Sequence, residues 1–147
     1  MEFVVFLALI SSCLAATRVT CIGDSITAGV CSQKTKGYPE ILQGILGPSF
    51  IVSNFGNSGK TMLTNGLCGP PAGSNCSYVG TSTWPGALAS DPDIVTIMLG
   101  TNDAKEFNWF GLQDNTPDSY VIDYLSMIKT LKGLPSKPKV FFFAAHF

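Results

Sequence analysis

The stretch Ile94-Val95-Thr96-Ile97-Met98-Leu99-Gly100-Thr101-Asn102-Asp103 decides the fold. Its first six residues are apolar on both faces, with no alternation of apolar and polar positions. A strand of that kind is covered from both sides, which is the habit of parallel sheets. Gly100 then ends the run and a short polar turn follows. Working outward, the same pattern recurs. Arg18 to Ile22 is a short apolar strand ending at Gly23, Phe50 to Phe55 is a second, and Val140-Phe141-Phe142-Phe143-Ala144-Ala145 is a fourth.

Helical segments separate these strands. Tyr38 to Leu46 carries Pro39 in its first turn and Gly47-Pro48 after its end, the usual punctuation of a helix. Trp84 to Ser90 reads as a short helix before Asp91-Pro92. Thr116-Pro117-Asp118 opens a longer one, with Thr as cap, Pro at the first position and an acid in the first turn. Val121, Leu125, Ile128 and Leu131, with Tyr124 and Leu134 beside them, form its expected buried stripe. Gly133 and Pro135 end it. Only the Gly/Ser/Asn/Pro-rich stretch from Gly56 to about Ser82 shows no period. Strands alternating with helices predict an α/β fold, with a parallel sheet covered on both faces. No internal repeat or low-complexity tract suggests a second domain.

Composition narrows the function classes. The chain has 147 residues, 46% of them hydrophobic, 13% charged, with a net charge of −1. That is a core-rich globular chain with no Lys/Arg cluster, so the electrostatic footprint of a nucleic-acid binder is missing. No stretch reaches the roughly 18 apolar residues a membrane span needs. Phe3 to Ile10 is an unbroken apolar run followed by Ser11-Ser12-Cys13-Leu14-Ala15-Ala16. An apolar segment ending in small residues reads as a secretory signal peptide, here residues 1–16, cleaved after Ala15 or Ala16. The competing reading, an extra buried strand, gains some ground because Glu2 is the only charge before the run. With export, the expected domain is 17–147 and its location extracellular or in the secretory lumen.

Cysteine usage agrees with an oxidising compartment. Cys68 and Cys76 flank a Gly/Pro loop and are expected to pair. Cys21, inside an apolar strand, reads as a small buried thiol, and no pairing of Cys21 or Cys31 is assigned. Asn75-Cys76-Ser77 is a formal glycosylation sequon, weakened if Cys76 is bridged. With a single His and no zinc-like spacing, no metal is implied.

In open parallel sheets, sites form at the carboxyl ends of the strands. Gly23-Asp24-Ser25-Ile26-Thr27 follows strand one, Gly56-Asn57-Ser58-Gly59-Lys60-Thr61 follows strand two, and Gly100-Thr101-Asn102-Asp103 follows strand three. Each alone is a common cap or turn. Three of them at three ends of one sheet converge on one place. Ser58-Gly59-Lys60-Thr61 fails as a phosphate-binding loop because position 54 is Asn and not Gly. The Gly-x-Ser-x-Gly elbow fails because Thr27 stands where the second Gly belongs.

Taken together with Asn54-Phe55, these three groups resemble blocks I, II and III of the SGNH/GDSL hydrolase (lipase/esterase) family, over residues 18–147. The resemblance implies a flavodoxin-like three-layer α/β/α sandwich with strand order 2-1-3-4-5, its fifth strand lying beyond this chain. It implies Ser25 as nucleophile, with an oxyanion hole made of the Ser25 and Gly59 backbone N–H groups and the Asn102 side-chain amide. The chemistry is coherent on its own. Ser25 opens a helix, Gly59 permits close backbone approach, and Asn102 donates without adding charge. Asp24 and Asp103 are expected to cap and brace their loops. Phe107, Trp109 and Phe110 either line a substrate pocket or belong to the core. The Gly100 to Lys105 context with Trp109 resembles the carbohydrate-deacetylating branch, so short acyl esters, O-acetyl groups on sugars among them, are the expected substrates, with no cofactor.

Other sequences of this family end in an Asp-x-x-His pair that supplies the base. Here the only His is His146, with Phe143 three places earlier, soon after strand four. The expectation is a chain that lacks its catalytic Asp-His. A non-catalytic carbohydrate-binding or structural relative is the alternative from another class.

Overall fold

The computed structural model describes residues 15–30, 32, 37–69, 73–109 and 115–143. The apolar run of the signal-peptide reading falls outside these residues, as do Cys31, Phe110 and His146. Four strands, Thr17–Gly23 (β1), Phe50–Gly56 (β2), Ile94–Met98 (β3) and Lys139–Phe142 (β4), form one parallel sheet in the order β2-β1-β3-β4. That is the expected order over its first four members. The helices of the described residues are Ser25–Ala28 (α1), Tyr38–Leu46 (α2), Thr83–Ala89 (α3) and Pro117–Lys132 (α4).

Side-chain alternation sorts the helices onto two faces. Thr20 of β1 hydrogen-bonds Ser90, just past α3, at 2.7 Å, and Ile22 packs with Val95, Ile97, Ala87, Met127 and Leu131. These residues define the face covered by α3 and α4. On the opposite face Thr96 of β3 bonds the Tyr38 hydroxyl of α2 at 2.7 Å, and Cys21, paired with Thr96 in register, is fully buried and free. The two faces together give the three-layer α/β/α sandwich. The middle strands β1 and β3 are nearly inaccessible, whereas β2 and β4 expose Ile51, Phe141 and Phe142 to the extent of 53%, 52% and 65%. An edge strand has a covering neighbour on one side only, so the expectation that every strand is buried on both faces holds for the middle pair alone.

Helix α4 corrects one reading. Its Thr116 cap, Pro at the first position and closing Gly133 are as expected, and Ser119 completes a reciprocal capping box with Thr116. Its buried stripe is different. Met127 and Leu131 are the buried residues, and Tyr120, Tyr124 and Ile128 pack beside them, while Val121 and Leu125 are 52% and 60% exposed. The helix is turned so that positions 120, 124, 127 and 131 meet the sheet. Val121 and Leu125 flank an apolar cleft between α4 and Phe142–Phe143. Apolar residues on two adjacent stripes made the sequence ambiguous, and packing on the sheet chose between them.

At the amino ends of the strands, the Arg18 backbone N–H donates to Asp93 at 2.8 Å, and the Arg18 guanidinium lies 3.4 Å from Asp93 and 3.7 Å from Asp91. This anchor sits at the opposite end of the sheet from the polar strand-end segments.

Candidate active site

β1 delivers Ser25. The strand ends at Gly23, Asp24 caps the turn by accepting the Ile26 N–H at 2.9 Å, and Ser25 begins α1. Two close approaches shape this corner. A Cβ on Gly23 would strike the Thr27 hydroxyl and lie 2.7 Å from the Met98 carbonyl, and one on Gly56 would strike the Ala28 N–H. Helix α1 has four residues, so the dipole argument made for Ser25 shrinks to one turn's worth of oriented N–H groups. Ser25 itself is half-buried.

β2 delivers Gly59. Asn54 ties this strand to the α1 turn by donating to the Thr27 carbonyl at 3.0 Å, and Asn57 N–H donates to the Gly23 carbonyl at 2.8 Å. Gly59 has φ +77° with open space around its α-carbon, a conformation that side-chain-bearing residues avoid. Among the described residues no hydrogen bond engages the Gly59 N–H or the Ser25 hydroxyl.

β3 delivers Asn102, and its side chain joins the other two segments. Asn102 Nδ2 donates to the Lys60 carbonyl at 3.0 Å and to the Asp24 carboxylate at 3.4 Å. Lys60 follows Gly59 and Asp24 precedes Ser25, so one carboxamide reaches the chain neighbours of both other candidate residues. Asp24 is fully buried, and burial pushes its pKa up, while hydrogen bonds from the Ile26 N–H and the Thr101 side chain pull the other way. Asp103 is also buried; its two oxygens accept the N–H groups of Met62 and Leu63 at 2.9 and 2.8 Å, and burial again raises its pKa against those bonds. Asp24 thus caps its own turn, whereas Asp103 braces the segment after β2 and not its own loop.

Residues 21–146 match the GDSL-like Lipase/Acylhydrolase family. The chain belongs to this family. Over 96 residues it is 47% identical to an acetylxylan esterase of Xylanibacter ruminicola, an alignment that covers 64% of this chain and 18% of that relative. The chain therefore spans under a fifth of the length of that curated relative. Among solved structures it resembles an inhibitor-bound aryl esterase of M. smegmatis, with 25% identity and a TM-score of 0.62 over 86% of this chain and 63% of that one. It also resembles a carbohydrate acetylesterase from Sinorhizobium meliloti, with 25% identity and a TM-score of 0.62 over 88% of this chain and 64% of that one.

The GDSL-family chain carries the expected Cys68–Cys76 disulfide, with 5.2 Å between the α-carbons. The staple braces the segment after Gly59: the Cys76 carbonyl accepts the Thr61 N–H at 2.9 Å, and the Cys76 N–H donates to Gly66 at 2.7 Å. Asn75 of the sequon spends its amide on the Thr64 carbonyl at 2.7 Å. Trp109 lines the apolar cleft of about 830 Å³ beside α4, its ring tilted at 43° to that of Tyr120, and Phe107 is half-buried and does not line that cleft. Gly100, Asp103 and Ala104 touch the cleft, but Ser25, Gly59 and Asn102 do not line it. No described helix is long and apolar enough to cross a membrane.

Of the two asparagines that brace these segments, the sequence offered Asn54 only within the motif that carries the resemblance, and it gave Asn108 no role. A signal existed for Asn108, an uncharged polar residue between Phe107 and Trp109: a polar group drawn into an apolar setting is held there by hydrogen bonds.

Proposed function

We propose that this domain is the nucleophile-bearing part of a secreted serine ester hydrolase acting on short acyl esters, chiefly O-acetyl groups on carbohydrate. The observation that carries the reading is the Asn102 carboxamide bonded to both Lys60 and Asp24, which ties together the three strand-end segments that carry Ser25, Gly59 and Asn102. The substrate class is supported by the names of the relatives, an acetylxylan esterase and a carbohydrate acetylesterase. Secretion is supported by the apolar run Phe3 to Ile10 and by the disulfide.

In this mechanism Ser25 Oγ attacks the acyl carbon, its proton passes to a base, and the carbonyl π electrons move onto oxygen. The Ser25 and Gly59 N–H groups and Asn102 Nδ2 hold that oxyanion; its arrival replaces the longer, 3.4 Å bond from Asn102 to Asp24. The carbon–oxygen bond to the sugar then breaks, the alcohol leaves with the proton, and water releases acetate from the acyl-enzyme. A serine hydroxyl needs an adjacent base to be a nucleophile at neutral pH. The family resemblance assigns that role to the His of an Asp-x-x-His pair, and no His stands among the described residues. Asp24, already accepting two hydrogen bonds, is held as a cap.

The test is acetate release from acetylated xylan, and hydrolysis of p-nitrophenyl acetate, by the full-length protein. Ser25→Ala should abolish both. Asn102→Ala should lower kcat by about 10²–10³ with less effect on KM. Undiminished turnover in Ser25→Ala overturns the assignment. Binding of acetylated oligosaccharide with no acetate release favours the non-catalytic alternative.

A further inference from the structure

We infer that Asn108 is a positioning residue for the Asn102 amide, a buried carboxamide that sets the segment after β3 against the disulfide-stapled segment after β2. The inference rests on the reading of Asn102 as an oxyanion donor. Asn108 is completely buried, so it touches no substrate and any effect on turnover passes through a neighbour. Its Nδ2 donates to the Asn102 carbonyl at 2.9 Å, its Oδ1 accepts the Leu67 N–H at 2.7 Å, and its own carbonyl accepts Asn115 Nδ2 at 3.0 Å.

The fork demands this residue type. It needs one donor and one acceptor on a single short side chain, because Asn102 offers a carbonyl and Leu67 offers an N–H. An apolar side chain would leave both of those backbone groups unpaired in a dry interior. Aspartate would keep the bond to Leu67 but turn a second acceptor on the Asn102 carbonyl. Glutamine would be one methylene too long for a site with no solvent space. Asp103 pins the following residue to Met62 and Leu63, so the peptide linking 102 and 103 is held at both ends. What remains to register any slip is the Asn102 side chain, whose reach to Lys60 and Asp24 depends on where its α-carbon stands. The Leu67 bond adds a second consequence. Leu67 adjoins Cys68, so Asn108 carries the rigidity of the staple into the oxyanion segment.

The experiment compares Asn108→Ala, Asn108→Asp and Asn102→Ala, and the Asn102→Ala/Asn108→Ala pair, in the full-length protein with p-nitrophenyl acetate, well below each variant's melting temperature. A displacement of about 1 Å at a reacting group can cost about 10²-fold. Asn108→Ala should therefore lower kcat by about 10–100-fold with KM little changed, and in the Asn102→Ala background it should lower kcat no more than about twofold. In ¹⁵N spectra, the side-chain amide pair missing from Asn102→Ala should be displaced in the Asn108 variants. If those variants do not fold, Asn115→Ala, which loosens Asn108 from behind, should displace the same pair. Unmoved Asn102 resonances in folded variants, or losses that multiply fully in the double variant, overturn the inference. If Asn102→Ala leaves kcat intact, the oxyanion reading fails by itself, and displacement of the Asn102 amide still decides the positioning role.

Discussion

Asp103 Oδ1 accepts the backbone N–H of Leu63 at 2.8 Å, fully away from solvent, and its partner oxygen accepts the N–H of Met62. One carboxylate thus satisfies two consecutive donors in the irregular stretch after β2. Such a stretch has no ladder of its own, so its buried N–H groups must find partners elsewhere.

Asp103→Asn should be destabilising although it is isosteric. An amide oxygen can serve one of the two donors, and its NH₂ then faces the other. A buried donor left unpaired costs about 1–3 kcal/mol, or a melting temperature lower by about 5 °C for a domain of this size. Calorimetry of the variant checks it; an unchanged melting temperature would show that the segment reorganises freely.

Gly56→Ala tests the contact of β2 with the α1 turn. A Cβ there meets the Ala28 N–H and sits 2.7 Å from the Ala28 α-carbon and the Thr27 carbonyl carbon. Backbone cannot swing aside as a long side chain can, so α1 and Ser25 must shift. The expected result is a loss of both stability, by about 1–3 kcal/mol, and Ser25-dependent turnover. Wild-type values for both would refute the contact.

Reduction of Cys68–Cys76 should act on the segment after Gly59. A loop closed at a sequence separation of 8 stabilises by about 2–3 kcal/mol in the chain-entropy picture. Dithiothreitol, or Cys76→Ser, should lower the melting temperature by about 10 °C. Free thiols at both positions in secreted material, found by non-reducing peptide mapping, would contradict the pairing.

The anchor at the other end of the sheet sets an acid limit. The Arg18 N–H and then its guanidinium hold the Asp93 carboxyl below the usual range, and the Ser136 N–H does the same for Asp91. A depressed carboxylate contributes stability above its unfolded value, near ~4, and that contribution is lost as pH falls through the lower folded value. Asp93→Ala, which removes the acceptor of both the Arg18 N–H and its guanidinium, should therefore lower the melting temperature at pH 7, with a gap to wild type that narrows below pH ~4. A gap constant with pH would place the effect in packing instead.

The β4 edge carries exposed Phe141, Phe142 and Phe143. Uncharged aromatic edges invite strand pairing between molecules. The 147-residue chain should self-associate, and Phe141→Lys should reduce this in sedimentation analysis without lowering the melting temperature. A monodisperse wild-type chain would count against it.

Much of this was legible in the residues. Local rules act over a few positions, so the apolar run 94–99, the Thr116-Pro117 helix start and the Gly/Pro stops predicted the elements, and elements of that kind in that order have few ways to pack. Strand-end reading pointed to the segments that carry Ser25, Gly59 and Asn102 for the same reason: in a parallel sheet, sequence position relative to a strand is already a position in space. The Cys68–Cys76 pair followed from nearness along the chain.

Tertiary structure decided what depends on partners far apart in sequence. Which stripe of α4 is buried was settled by packing on the sheet, since Val121 and Leu125 are as apolar as Met127 and Leu131. The size of α1, one turn closed by Gly29 at φ +83°, showed only in the structure. The bonds of Asn102 to Lys60 and of Asn108 to Leu67 join residues about forty positions apart. A buried carboxamide is worth having only where a complementary donor and acceptor arrive together, and that meeting is fixed by the whole fold and not by any local run of residues.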